Sequence, residues 1–365
     1  MNYNNSNLTI SDSQIDSGEI SWRCPSNIAL IKYWGKKTGQ IPQNPSLSFT
    51  LDSSYTQMTL KYQSKKNLGS SDLDLSYSFA GSNNINFQQR IKKYLESILE
   101  IYPFLTGLKL EIHSTNSFPH SAGIASSASS MGALALILCS LEKRIFNTLS
   151  DKNEFDQKAS YLARLASGSA SRSIYPAIAC WGKNSDISQA SDEFAVPLDL
   201  EKDIDPIFHN FCDSILIISS APKEISSSDG HLLMNDNPYA GVRYQQAGIN
   251  FSHLLTALGS GDLKLFSEIV INEALSLHSL MMTSRPSFLL IKPQTLAAIE
   301  KINTLKKSTG YDLAYTLDAG PNIHLLYPER LKIEIKDFIE RELKIYLENG
   351  HYIEDRVGMG PQEIL

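Results

Sequence analysis

The stretch from Phe118 to Gly132, Phe-Pro-His-Ser-Ala-Gly-Ile-Ala-Ser-Ser-Ala-Ser-Ser-Met-Gly, constrains this chain more than any other. It packs small side chains into a turn directly ahead of the apolar run through Leu134, Leu136, Ile137, Leu138 and Leu141. That run reads as a buried helix, whose first amides lack intrahelical partners and carry the positive end of the helix dipole. Glycine and alanine let an anion approach those amides, and the serines add hydroxyl donors. The pattern is that of a phosphate cradle. It lacks the Gly-Lys-Ser/Thr of a Walker loop, so a nucleotide held here is held by another architecture. A serine-rich linker ahead of a core helix has the same composition.

With 365 residues, 42% of them hydrophobic and 20% charged, the chain is long enough for two lobes around a substantial core, as in a soluble enzyme. A formal charge of −6 carries no basic excess, which argues against a nucleic-acid or membrane-surface partner and for small molecules. Cys24, Cys139, Cys180 and Cys212 lie far apart with no CxxC pair, so they read as reduced, mostly buried thiols. The first twenty residues are polar, lack the layout of a signal peptide, and read as a loose tail. No segment approaches a membrane span, and a cytoplasmic location is expected.

Further along, Asn27-Ile-Ala-Leu-Ile-Lys-Tyr-Trp-Gly-Lys36 sets Lys32 directly behind four apolar residues. A lysine there must reach out to solvent or meet an anion. Alternation at Leu47, Phe49 and Leu51, at Met58, Leu60 and Tyr62, and at Leu73, Leu75, Tyr77 and Phe79 predicts half-buried antiparallel strands. A helix is expected from an Asn86 cap to Pro103, then a strand over Leu108, Leu110 and Ile112, and a helix over 151–166. Ser167-Gly-Ser-Ala-Ser-Arg172 suits a second anion contact, or a helix C-cap with a surface arginine.

An acidic connection at 184–206 marks the division of lobes, placed between 21–190 and 191–365. The second lobe opens on the strand Ile215 to Ile218, continues through helical material from Tyr239 to Met282 and a helix from Thr295 to Lys307, and reaches Asp318-Ala-Gly-Pro-Asn322 between two strands. That pentapeptide suits a structural turn as well as a catalytic aspartate. A helix from Glu329 to Glu348 and the turn Gly358-Met-Gly-Pro361 close the chain.

Taken in order and spacing, these motifs resemble the diphosphomevalonate decarboxylases of the GHMP kinase superfamily. The resemblance runs from residue 22 onward. It implies an α+β, two-lobed fold, with an α/β N-terminal lobe, an α+β C-terminal lobe and a cleft between them, commonly as a homodimer. It also implies ATP with Mg2+ and a mevalonate diphosphate substrate, which is phosphorylated on its tertiary hydroxyl and then loses phosphate and carbon dioxide to leave isopentenyl diphosphate.

By position, Asp318 becomes the acid-base residue and Lys32 the cation that keeps it ionised. Arg172, with Asn27 beside it, takes the substrate carboxylate. Tyr33, Lys36, Ser169 and Ser228 meet the substrate diphosphate, and Ala122, Gly123, Ser126 and Ser127 wrap the ATP phosphates. A metal site built from four protein ligands is not visible in the sequence. The chain departs from the family pattern at His120, often Thr, at Ser228, often Arg or Thr, at His231, often Met, and at Thr283, acidic in eukaryotic members. These departures bear on how many phosphates the substrate carries.

Overall fold

The computed structural model describes residues 3–10, 15–65, 72–118, 126–221 and 225–365. The first lobe is built on strand β1 (Gly18–Ile31), the small hairpin β2 (Lys36–Lys37) and β3 (Ile41–Pro42), then β4 (Ser46–Ser64), β5 (Asp74–Phe79), β6 (Ser82–Asn83), β7 (Leu108–Asn116), β8 (Ile178–Trp181) and β9 (Ala195–Pro197). Helices α1 (Ile85–Ser97), α2 (Ser126–Phe146) and α3 (Lys152–Ala166) complete it. The two apolar alternations over 47–62 are one continuous strand, β4, which pairs along β1, β7 and β8. Its period of two points Leu47 and Phe49 into one core and leaves Ser46 and Ser48 on the opposite face, where they meet the Arg172 side chain.

The structure corrects four readings. The 73–79 strand runs parallel to β7, because α1 crosses between them and returns the chain in the same direction. Helix α1 is capped by Asn84, whose side chain accepts the Phe87 N–H at 3.0 Å; it ends at Ser97, well before Pro103. Within the amino-terminal twenty, residues 3–10 are not a loose tail: Leu8 is buried in the first core and the Tyr3 ring packs edge-on against Tyr161. The first sheet also extends through β9, past the expected division at residue 190, since the 195–197 backbone pairs with β8.

The second lobe contains α4 (Leu200–Asp203), β10 (Cys212–Leu216), α5 (Ser227–Leu232), α6 (Ala240–Ser260), α7 (Leu263–Met282), α8 (Pro293–Thr309), β11 (Ala314–Thr316), β12 (Ile323–Tyr327), α9 (Lys332–Phe338) and β13 (Tyr352–Arg356); β14 (Gln362–Glu363) returns to the edge of β1. Its sheet has the order β11-β12-β10-β13. The helical material over 239–282 breaks at Gly261, in the left-handed region at φ 71°, and Asp262 caps the next helix. The last helix passes into a π turn after Phe338 and a 3-10 turn that ends at Tyr346.

One apolar core spans both lobes. Ile28, Leu47 and Phe49 from the first sheet pack with Phe208, Phe211, Ile215, Phe251 and Phe266 from the second half. The Phe49 and Phe266 rings stack 6.0 Å apart. The lobes are further joined where Asp355 Oδ1 accepts the Asp52 and Ser53 N–H groups, each at 2.8 Å. Gly358 lies so close to the Leu51 carbonyl that no Cβ fits, which accounts for the closing glycine turn. All four cysteines are free and buried, and no helix among the described residues is long and apolar enough to cross a membrane.

Candidate active site

A cavity of about 480 Å³ opens between the lobes. Strand β1 runs into it and ends at Ile31, directly before Lys32, with irregularities in its pairing to β4 beside Asn27 and Ala29. Lys32 is 2% exposed. Its ammonium donates to Asp318 Oδ1 at 2.9 Å, from opposite ends of the chain. Burial pulls the Lys32 pKa below that of free lysine, against the opposite pull of Asp318 and, more weakly, Glu273. The Asp318 side chain is 27% exposed, so the carboxylate that Lys32 holds still faces the cavity.

The turn carrying Asp318 is braced from several directions. His278 Nε2–H donates to the Asp318 carbonyl at 3.1 Å, and the Gly320 N–H reaches the same oxygen at 2.7 Å. Asn322 accepts the Ile218 and Ser219 N–H groups at 2.7 and 2.9 Å through Oδ1 and donates to the Ser219 carbonyl at 3.1 Å. The turn reading of Asp318-Ala-Gly-Pro-Asn322 holds, since the asparagine pins the turn, and the aspartate borders the cavity.

Arg172 is also 2% exposed. Its fork donates to Ser46 Oγ at 2.6 Å, Ser48 Oγ at 3.0 Å and Asn27 Oδ1 at 3.3 Å. These are neutral oxygens, and among the described residues no carboxylate comes within ion-pair distance of it. Burial lowers its pKa to about 10, partly offset by the charge of Asp318. Asn27 is itself held by donating to the Ser169 carbonyl at 3.0 Å and Ser173 Oγ at 2.8 Å. A buried cation set among neutral partners is favourable only with an anion nearby, and Asp318 supplies that field from across the cavity.

At the far end, Lys36 donates to Gln40 Oε1 at 2.9 Å, and burial, then the charge of Arg90, lowers its pKa. Tyr33 packs edge-on against Trp181 at 4.8 Å between ring centroids. Ser126, Ser127 and Ser169 line the same cavity, at the start of α2 and in the 167–172 turn. His120, Ala122, Gly123 and the Ser228 side chain lie outside the described residues. Thr283 caps the end of α7 and is not part of the cavity wall.

Three residues escape sequence reasoning. Arg90, an exposed residue of α1, borders the cavity and looks from sequence like an ordinary solvated charge. His278 braces Asp318 as described. Glu273 is wholly buried; it accepts the Lys32 N–H at 2.8 Å and Asn250 Nδ2–H at 2.7 Å, and also pairs with the Arg243 guanidinium. Both Glu273 and His278 carry a faint sequence signal, since each falls on the apolar face of α7 beside Val270, Leu277 and Met281.

Magnesium ligated mainly by phosphate oxygens, with one or two protein oxygens, suits this donor set. Ser126 and Ser127 offer hydroxyls, and among the described residues no cluster of three His, Cys, Asp or Glu side chains forms a dedicated cage.

The chain is similar to known proteins in sequence and in fold. The diphosphomevalonate decarboxylase-like N-terminal domain model matches residues 24–195, and the mevalonate 5-diphosphate decarboxylase C-terminal domain model matches residues 214–358. The diphosphomevalonate decarboxylase of Aspergillus fumigatus is 28% identical over 322 residues, which cover 84% of this chain and 76% of that protein. The Saccharomyces cerevisiae enzyme is 26% identical over 386 residues, covering 93% and 94%. The crystal structure of mevalonate diphosphate decarboxylase from Staphylococcus aureus matches with a TM-score of 0.81 at 27% identity, covering 96% of this chain and 99% of that one. MDDEF in complex with MVAPP, AMPPCP and magnesium matches with a TM-score of 0.80 at 26% identity over the same shares. Two consecutive domain models, relatives along most of the length and a shared two-lobed α+β fold agree: the chain belongs to the diphosphomevalonate decarboxylase family.

Proposed function

We propose that the cavity between the lobes carries out the family's reaction, the ATP-dependent decarboxylation of mevalonate 5-diphosphate to isopentenyl diphosphate, ADP, phosphate and carbon dioxide. The observation that carries this reading is the Lys32–Asp318 pair at 2.9 Å on the wall of a cavity that also holds the buried Arg172.

A tertiary alcohol is a poor nucleophile. The Asp318 carboxylate orients the hydroxyl and accepts its proton as the oxygen bonds to the terminal phosphorus of ATP and ADP leaves. The Lys32 ammonium stabilises the negative charge around the transferred group. Arg172, with Asn27, holds the substrate carboxylate through the guanidinium fork. When the new phosphate ester leaves with its bonding electrons, the C–C electron pair of the carboxylate flows to the carbon it vacates. An alkene forms and carbon dioxide departs.

Lys36 and Arg90, with Tyr33, Ser169 and Ser228, receive the substrate diphosphate. Two positive charges at that end favour a diphosphate over a monophosphate. Ser126 and Ser127, with Ala122 and Gly123, receive the ATP phosphates, and Mg2+ when bound neutralises charge there. The same reading takes the protein to be a cytoplasmic homodimer.

The test measures carbon dioxide and ADP in parallel with mevalonate, its 5-monophosphate and its 5-diphosphate. Equimolar release is expected with the diphosphate. ADP formed without carbon dioxide would overturn the decarboxylase reading, and preference for the monophosphate would overturn the substrate assignment.

A further inference from the structure

His231, on α5, lies between two aromatic rings, its centroid 4.5 Å from each of Tyr33 and Trp34, and borders the cavity. Its Nδ1 accepts the Gly35 N–H at 2.8 Å. Gly35 is locked in place: it sits at φ 100°, and the Tyr244 hydroxyl occupies the space a Cβ would need. An imidazole that accepts at Nδ1 carries its proton on Nε2, so the tautomer is set by the fold. Burial and the nearby charge of Lys36 push the His231 pKa down to about 3, which keeps the ring neutral across the physiological range. Among the described residues Nε2 has no hydrogen-bond partner, and it is not among the side-chain atoms sealed from solvent. The ring thus presents an unused N–H donor beside Lys36.

We infer that His231 is a specificity-determining residue, whose Nε2–H donates to a phosphoryl oxygen of the substrate's diphosphate. The inference rests on the reaction proposed above. A neutral donor of fixed direction complements the charges of Lys36 and Arg90. Charge attracts any anion to that end of the cavity, whereas one aimed N–H rewards an oxygen at one position. It thereby discriminates between substrates that differ by a single phosphate.

Two substitutions separate the donor from the packing. In His231→Asn the amide oxygen replaces Nδ1 as acceptor for Gly35 but the Nε2 donor is lost. His231→Gln carries an amide N–H to the Nε2 position. His231→Asn is expected to raise KM for mevalonate 5-diphosphate roughly tenfold, more than it lowers kcat, and to leave KM for ATP in place. His231→Gln should recover most of that loss. The inhibition constant of the 5-monophosphate should change far less than KM for the diphosphate. Equal effects on both substrates, or a fall in kcat at constant KM, would show a packing role and overturn the inference.

Calorimetry with inorganic pyrophosphate provides a readout independent of turnover. Weaker binding to His231→Asn than to the unmodified protein is expected, and equal binding overturns the donor role whichever reaction the enzyme performs. Absence of carbon dioxide release by the unmodified protein would instead overturn the reaction reading alone.

Discussion

The two ends of the cavity are built on opposite principles. At the end proposed to carry the reaction, Lys32, Arg172, Asn27 and Glu273 are almost sealed from solvent, and each is held by partners from distant parts of the chain. At the end proposed to take the diphosphate, Lys36 is half-buried, Arg90 is exposed, and the serines come from turns and helix starts. Sealed charges cost several kcal/mol each to desolvate and persist only in a network that fixes their geometry. Exposed cations cost little, attract an anion at longer range and adapt to it. The contrast suits a reaction whose bond-making atoms need exact placement and whose diphosphate needs chiefly to be gripped.

This comparison predicts that substitutions at the reacting end act on turnover and those at the other end on affinity. Asp318→Asn keeps the shape and removes the proposed proton acceptor. Steady-state assays should show kcat falling roughly 10²- to 10⁴-fold, while calorimetry shows ATP and substrate still binding. Wild-type turnover in this variant would remove Asp318 from the mechanism. Arg172→Lys retains charge but loses the planar fork that spans Ser46, Ser48 and Asn27. A loss in kcat/KM on the order of 100-fold is expected; unchanged kinetics would show that the carboxylate binds elsewhere.

Much of the fold is visible in the sequence because its causes are local. The apolar alternation of β4, the small-residue start of α2 and the Asp151 cap of α3 each announce their element. The parallel pairing of β5 is not visible, since it depends on where α1 returns the chain. Within the site, Lys32 stands out as a charge behind an apolar run. Arg90 has no such mark, because an exposed arginine on an amphipathic helix is what any surface helix carries. Glu273 falls between these cases. A carboxylate at a core position of α7 demands a partner, but nothing local reveals that the partners are the Lys32 amide and the Arg243 guanidinium.

Glu273→Gln probes how far the rigidity of the reacting end depends on that buried charge. The amide can still accept the Lys32 N–H, but Arg243 becomes a buried cation without its counter-charge. Urea denaturation should show a loss of about 2–3 kcal/mol, near the low side of the cost of breaking a buried pair. A midpoint unchanged from wild type would mean that Arg243 finds another acceptor, and that the bracing of Lys32 is less specific than its geometry implies.

The smallest expected effect lies at the end proposed to take the diphosphate and follows from the buried imidazole of His231. His231 has a folded-state pKa of about 3 against 6.5 for the free side chain. Between those values the unfolded chain binds a proton at this position that the folded chain does not, so stability rises with pH across the window and falls on acidification. The sign follows from which state binds more protons, and it is opposite to that of a histidine stabilised by a carboxylate. From pH 7 to pH 5 this group alone should contribute a loss on the order of 1–2 kcal/mol. Other groups titrate over the same range, so the informative quantity is a difference. Urea midpoints of wild type and His231→Asn, taken at both pH values, should converge on acidification, because the variant lacks the titration. Parallel midpoints would show that His231 ionises as readily in the fold as out of it, and that the phosphate end is open to water even at its most enclosed residue.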